Sequence, residues 1–465
     1  MPALTLALLI VYLASILIIG LRARRRAGRD EISYFIADRS LNGFWGFIGL
    51  ASLTTGGSTT IALAAFVYTH GLSGLWLDFA GAFGLLALSL LLAGRVRRES
   101  AVTLPEIVGR HFGAGARVTA GALVLAAEIV WFALLAEATQ VVLTAAFGWA
   151  PTVTILGCTA VFVAYTSLGG QFAVVRTDLV KYGLMVVGIP GIALAAALRH
   201  VGAWSSLPAA VWSFPTSATL PAEGVLALLV TIGLPHMVGS DVYAKLLSCR
   251  DEHAARAAAA WAGAAKIFFG LSVAVIALSA RAVLAPEAAT ATLPRAVLAF
   301  VPAPLASLVL VALVAAMQSS ADAVLLSATA VTARDLLAPV ARRPVPLRAA
   351  QALAVVYGAL GLLVALAMNR NVIETLKLGY SIFAAGLILP VLVALSPVGR
   401  RVAPKAAIAS MAAGGAIAAA GRFWPALALG RDPVLAGTAA CGLVLAAALA
   451  WPHAPDRRPS AAAPG

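Results

Sequence analysis

The sequence predicts an all-α integral membrane protein of about thirteen spanning helices. Three observations carry this prediction: a shortage of charge, a series of long apolar runs, and a one-sided distribution of basic residues between them. Of 465 residues, 62% are hydrophobic and 11% charged, and mean hydropathy is +0.96. A soluble domain carries about 25% charged residues, because it must coat its core with a wetted surface. This chain has too few, so lipid must solvate most of its side chains.

A helix needs about 20 apolar residues to cross ~30 Å of hydrocarbon. Runs of that kind occupy 3–21, 43–69, 73–94, 118–147, 151–170, 178–198, 222–245, 258–280, 304–332, 350–368, 372–396, 404–421 and 433–451. Within each, backbone groups must be satisfied internally, so helix is the default and any irregularity must be sheltered by protein or water. The first run has no basic segment before it and no small-residue cleavage site, and it ends in Arg22, Arg24, Arg25 and Arg26. It reads as a retained span, not a signal peptide. With the loop after it assigned to the cytoplasm, 26 of 33 Lys and Arg residues fall on inward loops and the tail, and six fall outward. The positive-inside rule then predicts an outside N-terminus and an inside C-terminus.

The net charge of +14 does not indicate a nucleic-acid partner, because the basic residues lie in short clusters between apolar runs. Cys158, Cys249 and Cys441 are scattered, with neither disulfide-framework nor metal-ligand spacing. Loops reach about twenty residues, and the tail at 452–465 reads as disordered and cytoplasmic. Nothing here predicts an output module of a receptor or kinase. Neither His-Glu-x-x-His nor Gly-x-Ser-x-Gly occurs, so no catalytic constellation is predicted at membrane depth.

Two spans are interrupted at matching positions. Span two carries hydroxyls and paired glycines at 51–61, including Gly56 and Gly57. Span seven carries Gly233 and Pro235, and proline lacks the helical donor and clashes with the preceding turn. The sequence therefore places the breaks at these residues, and at Gly56 and Gly57 predicts backbone angles that a Cβ would penalise. The breaks lie five spans apart, which suggests a five-plus-five inverted repeat. Its halves would be 43–198 and 222–396, with 1–22 and 404–451 peripheral. Interrupted helices in corresponding halves point to the binding site of a transporter. A third signal is Gln318, Ser319, Ser320 and Asp322 in span nine, polar groups that are costly unless they face protein or a cavity.

Four stretches now resemble one family. They are 51–58 with 68–72, then 165–178, then 233–251, and 316–322. Together these are similar to the sodium:solute symporters, which include bacterial proline, sugar and sialic acid symporters and the choline and glucose carriers. The first stretch is the glycine-rich variant of that family's first core helix. The resemblance implies a leucine-transporter-type fold and sodium as coupling ion. Departures are Lys181, where the family usually has glutamine, and Thr55, which opens what is often a triple glycine.

By this resemblance Ser52, Thr55 and Ala316 would offer backbone carbonyls to sodium, and Ser319 and Ser320 their hydroxyls. Sodium is a hard cation suited to oxygen ligands, as hard divalent ions are. The i, i+3, i+4 spacings keep each set on one helix face. Asp178 is expected at the cytoplasmic end of span six, either gating the ion or complementing a helix dipole. Glu128 lies about 16 Å along its helix from Arg117, near the midplane, where a carboxyl suggests a substrate or proton group. The solute pocket is expected between the broken helices and span four, with Thr54, Ser58, Thr59, Glu128, Trp131, His236 and Gln318 as wall residues. A Glu and a Trp suit an amine, the latter through cation–π contact. The partners implied are a small-molecule solute, sodium and the lipid bilayer of a bacterial cytoplasmic membrane, and no oligomer is required. A solute sensor serving a separate signalling partner and a proton-coupled symporter are the alternatives.

Overall fold

The computed structural model of the chain describes residues 1–27, 31–284, 291–368 and 372–450. The predicted tail at 452–465 lies outside the described residues. In chain order the first half supplies α1 (Pro2–Ala27), α2 (Gly43–Thr55), α3 (Gly57–His70), α4 (Trp76–Ala87), α5 (Ala114–Phe147) and α6 (Pro151–Val186). The second supplies α7 (Leu234–Val238), α8 (Ser240–Leu247), α9 (Glu252–Val283), α10 (Ala303–Val331), α11 (Leu347–Ala367), α12 (Val372–Ala394), α13 (Pro404–Phe423) and α14 (Pro433–Ala450). Apart from isolated bridges, no strand occurs among the described residues. That is what a lipid-embedded backbone requires.

Eleven helices among the described residues are long and apolar enough to cross a membrane. Two predicted spans do not register on their own. One is 43–69, split at Gly56 into α2 and α3; the other is 151–170, whose apolar helix is Pro151–Ala164. Burial ranks the helices. In α10, 94% of the apolar window is buried, against 28% in α1 and in α14. Helix α10 packs against α5 and α6, α2 against α9, and α12 between α5 and the outer pair α13–α14.

The break in span two falls at Gly56, between α2 and α3, but not for the conformational reason the sequence suggests. Gly56 has φ −95° and ψ −68°, angles open to any residue. Its constraint is proximity. A Cβ there would lie 2.3 Å from Met185 Cε and 3.0 Å from Ala316 Cβ, so α6 and α10 close directly on the joint. In span seven the break is not at Gly233 or Pro235. Pro235 lies inside a helical run that continues from Ala222 to Val238, directly after a π-helical turn at Leu229–Gly233 of the kind that accommodates a missing donor. The chain leaves helical geometry at Gly239 (φ −55°, ψ 141°) and restarts as α8. Gly233 serves packing: a Cβ would lie 2.9 Å from the Ala80 carbonyl on α4.

A third correction concerns Asp178. Spans five and six meet at a sharp corner at Gly170 (φ 60°, ψ −177°), a left-handed value that favours glycine, and helix continues to Val186. Asp178 is therefore about two turns inside a helix and fully buried, not at a helix N-terminus. Lys181, Lys245 and Lys266, counted above as inward cations, are also buried. They report on the core and not on sidedness.

Two predictions follow from these joints. The charge asymmetry of the remaining loops requires a reporter at the C-terminus to read cytoplasmic and one within 207–221 to read external; both on one side would break the span count. Replacing Gly56 with Ala should destabilise the protein by about 1–3 kcal/mol through overpacking. A lower Tm in detergent, partly restored by adding Met185→Ala, is the expected outcome. A raised Tm would instead favour the gain in helix propensity that glycine withholds.

Candidate ion and solute site

The break at Gly56 leaves the last carbonyls of α2 without helical partners, as at any helix end. Three are taken by side chains. Ser320 Oγ on α10 donates to the Leu53 carbonyl at 3.0 Å, Lys266 Nζ on α9 to that of Thr54 at 2.6 Å, and Thr60 Oγ1 on α3 to that of Thr55 at 2.9 Å. Ser52 Oγ is in hydrogen-bond contact with Ser319 Oγ. The structure thus brings Ser52, Ser319 and Ser320 together, with Ala316 against Gly56 at the same joint. Thr55 is one turn on, its carbonyl held by Thr60. All of these groups are neutral oxygens from a helix end and an adjacent helix face, a donor set that suits a hard monovalent cation.

Charged groups surround this joint: Asp178 and Asp322, which the sequence singled out, and Asp78, Lys181, Lys245 and Lys266, which were not among the predicted site residues. Ser319 Oγ donates to Asp178 Oδ1 at 3.1 Å, and Lys245 Nζ stands 2.9 Å from Asp178 Oδ2. Asp322 pairs with Lys181 and accepts from Thr166 Oγ1 at 2.7 Å. Behind Thr54, Lys266 pairs with Asp78 at 2.5 Å. The sequence signal for these pairs was available, since Asp78, Lys181 and Lys266 each fall inside a predicted apolar span, where ionisable groups mark function.

Beside this joint lies a cavity of about 40 Å³. Of the predicted wall residues it is lined by Thr54, Trp131 and His236, with Pro235, Asp241, Ser320 and Tyr380. Trp131 and Tyr380 pack with ring centroids 4.9 Å apart, and the His236 ring is parallel to Tyr380 at 6.2 Å. His236 Nδ1 is fixed by the Ile232 carbonyl at 2.8 Å. Asp241 also borders a smaller cavity with Gln171, Ser240 and Ser327. Glu128 is fully buried beside Ser327 and Asp241. Gln318 is turned away: its Oε1 accepts from Tyr12 of α1 at 2.7 Å. The side chains of Ser58 and Thr59 lie outside the described residues.

Two broken helices flanking an oxygen-lined joint and an aromatic cavity, within a helical membrane protein, are the arrangement that a transporter's binding site requires. The family model for the sodium:solute symporter family matches residues 34–414, and the chain belongs to that family. Among curated relatives, the high-affinity choline transporter 1 of Caenorhabditis elegans is 26% identical over 59% of this chain and 49% of its own length. Sodium/glucose cotransporter 4 of Danio rerio is 30% identical over 40% of this chain and 29% of its own. The chain thus spans half or less of the curated relatives it matches. A Na+-coupled sialic acid symporter, solved in a substrate-bound outward-open state, superposes with TM-score 0.81 at 17% identity, covering 97% of this chain and 99% of that one. MhsT, solved with L-phenylalanine, matches with TM-score 0.55 at 14% identity over 87% of this chain and 98% of that one. The family and these neighbours are transporters, not enzymes.

The serine pair gives a direct test. In the Ser319→Ala, Ser320→Ala double variant, the sodium concentration giving half of the Tm rise in detergent should increase about tenfold, ~1.4 kcal/mol of binding. Uncapping Leu53 lowers Tm separately and without regard to sodium. Unchanged sodium dependence would place the ion elsewhere.

Proposed function

We propose that this chain is a sodium-coupled symporter that imports a small organic solute across the bacterial cytoplasmic membrane by alternating access. The observation that carries the reading is the contact of Ser319 and Ser320 on α10 with Ser52 and Leu53 at the end of α2, directly beside the aromatic cavity. Ser52, Thr55, Ala316, Ser319 and Ser320 hold the ion. Thr54, Trp131 and His236, with Asp241 and Tyr380, face the solute. Breaks at Gly56 and Gly239 support a five-plus-five repeat over 43–198 and 222–396, whose halves would rock about the site.

The cavity's charge favours an amine-bearing solute. Asp78, Asp178 and Asp322 each have a buried lysine partner, whereas Asp241 and Glu128 have no ion-pair partner among the described residues. Asp241 on the cavity wall, with Glu128 buried near it, suits an ammonium through charge, and Trp131 and Tyr380 suit it through cation–π contact. The worm relative's name, a choline transporter, agrees with that chemistry.

Uptake into proteoliposomes against labelled amines, sugars and amino acids tests both parts. Amine uptake should require an inward sodium gradient, and Glu128→Gln should lower it about tenfold or more, ~1.4 kcal/mol. Uptake driven equally by a proton gradient without sodium would favour proton coupling. Saturable binding with no accumulation would favour a sensor.

A further inference from the structure

Lys181 occupies an unusual position, and its reading rests on the sodium site proposed above. Lys181, Asp178 and Asp322 are fully buried. The Lys181 ammonium pairs with Asp322 Oδ2 and stands 3.6 Å from Asp178 Oδ1. That same Asp178 oxygen accepts from Ser319 Oγ at 3.1 Å, and the other oxygen of Asp322 accepts from Thr166 Oγ1 at 2.7 Å. Carboxylates from α6 and α10 therefore converge on one ammonium, and one of them also binds a hydroxyl of the proposed sodium set. With Lys245 on Asp178 Oδ2, two carboxylates face two ammoniums and the cluster is neutral.

Taking the Lys181 charge away leaves one net negative charge in a dry space walled by oxygen atoms. An uncompensated buried charge is strongly disfavoured, and oxygens around it are what a hard cation requires. We propose that Lys181 is a tethered cation whose ammonium fills a seat that a second sodium ion would otherwise take. The chain then couples transport to the single ion held at Ser319 and Ser320. Position 181 follows Asp178 by three residues, so the two side chains lie on one helix face and the tether holds the ammonium beside its carboxylate.

The test is a sodium titration of thermal stability in detergent, with potassium chloride keeping ionic strength constant. The slope of stability against the logarithm of sodium concentration counts the ions that the folded state binds. It should be about 1 in the native protein and about 2 in Lys181→Gln, whose shorter, neutral side chain opens the seat. The double variant Lys181→Gln, Asp322→Asn removes both charges and should return the slope to about 1. A slope in Lys181→Gln equal to that of the native protein overturns the proposal. So does a Lys181→Gln protein that fails to fold at every sodium concentration, whereas one that folds only in high sodium supports it. A native protein without any sodium response, alongside an equally silent Lys181→Gln, removes the underlying sodium site as well. A native response with no gain in the variant overturns the tethered cation alone.

Discussion

The structure turns on the carbonyl groups freed where α2 stops. In hydrocarbon no water is at hand to satisfy them, and each one left bare costs about 1–3 kcal/mol. Leu53, Thr54 and Thr55 are satisfied from three different segments: Ser320 on α10, Lys266 on α9 and Thr60 on α3. Those donors fix where α9 and α10 must lie relative to the joint. They also explain why position 56 carries no side chain, since Met185 and Ala316 reach the space it would need. The break, the close packing and the oxygen-lined joint are three consequences of one unsatisfied helix end.

Buried charge is the second consequence. Ion pairs in a low-dielectric interior rarely stabilise more than apolar residues of the same volume, though removing one partner costs about 3–5 kcal/mol. Three buried lysine–aspartate pairs around one joint are therefore poorly explained by stability. Lys266 shows what they supply instead. It pairs with Asp78 on α4 and donates to the Thr54 carbonyl of α2, tying three segments at the wall of the cavity. Lys245 and Lys181 bind Asp178 and Asp322 in the same way on the other side of Ser319.

Much of this was legible in the sequence because its signals are local. Apolar runs of about 20 residues disclose spans, the glycine pair discloses the break in span two, and adjacent serines beside Asp322 disclose the helix that closes on that break. What failed depended on partners distant in the chain. Lys181 and Asp322 are 141 residues apart, so hydropathy and loop counting assigned the lysine to a cytoplasmic surface. Pro235 looked like a helix breaker, but the π-helical turn before it lets the helix run on, and only the backbone reveals that Gly239 is the joint. Gln318 shares a helix with Ser319, yet one residue turns it about 100° toward Tyr12 of α1.

The two half-helices meet the site with opposite ends, and that asymmetry joins ion to solute. The C-terminal end of α2 is the negative end of its dipole and faces the ion joint; the N-terminal end of α8 is the positive end and carries Asp241, whose Oδ1 accepts from the Val242 amide at 2.8 Å. A cation is thus favoured at one break and a buried carboxylate is tolerated at the other. Helix α10 touches both, with Ser319 and Asp322 on the ion side, Val324 on the cavity wall and Ser320 on both. A cation that coordinates the Ser320 oxygen would share that hydroxyl with the Leu53 carbonyl, and Leu53 also lines the cavity. In the proposed symporter an ion at this hydroxyl would therefore bear on the wall that the solute meets, and a ligand shifts an equilibrium only through such differential contacts. Such coupling is reciprocal, so in that symporter a solute pressed against Ser320 and Leu53 would in turn alter the affinity of the ion.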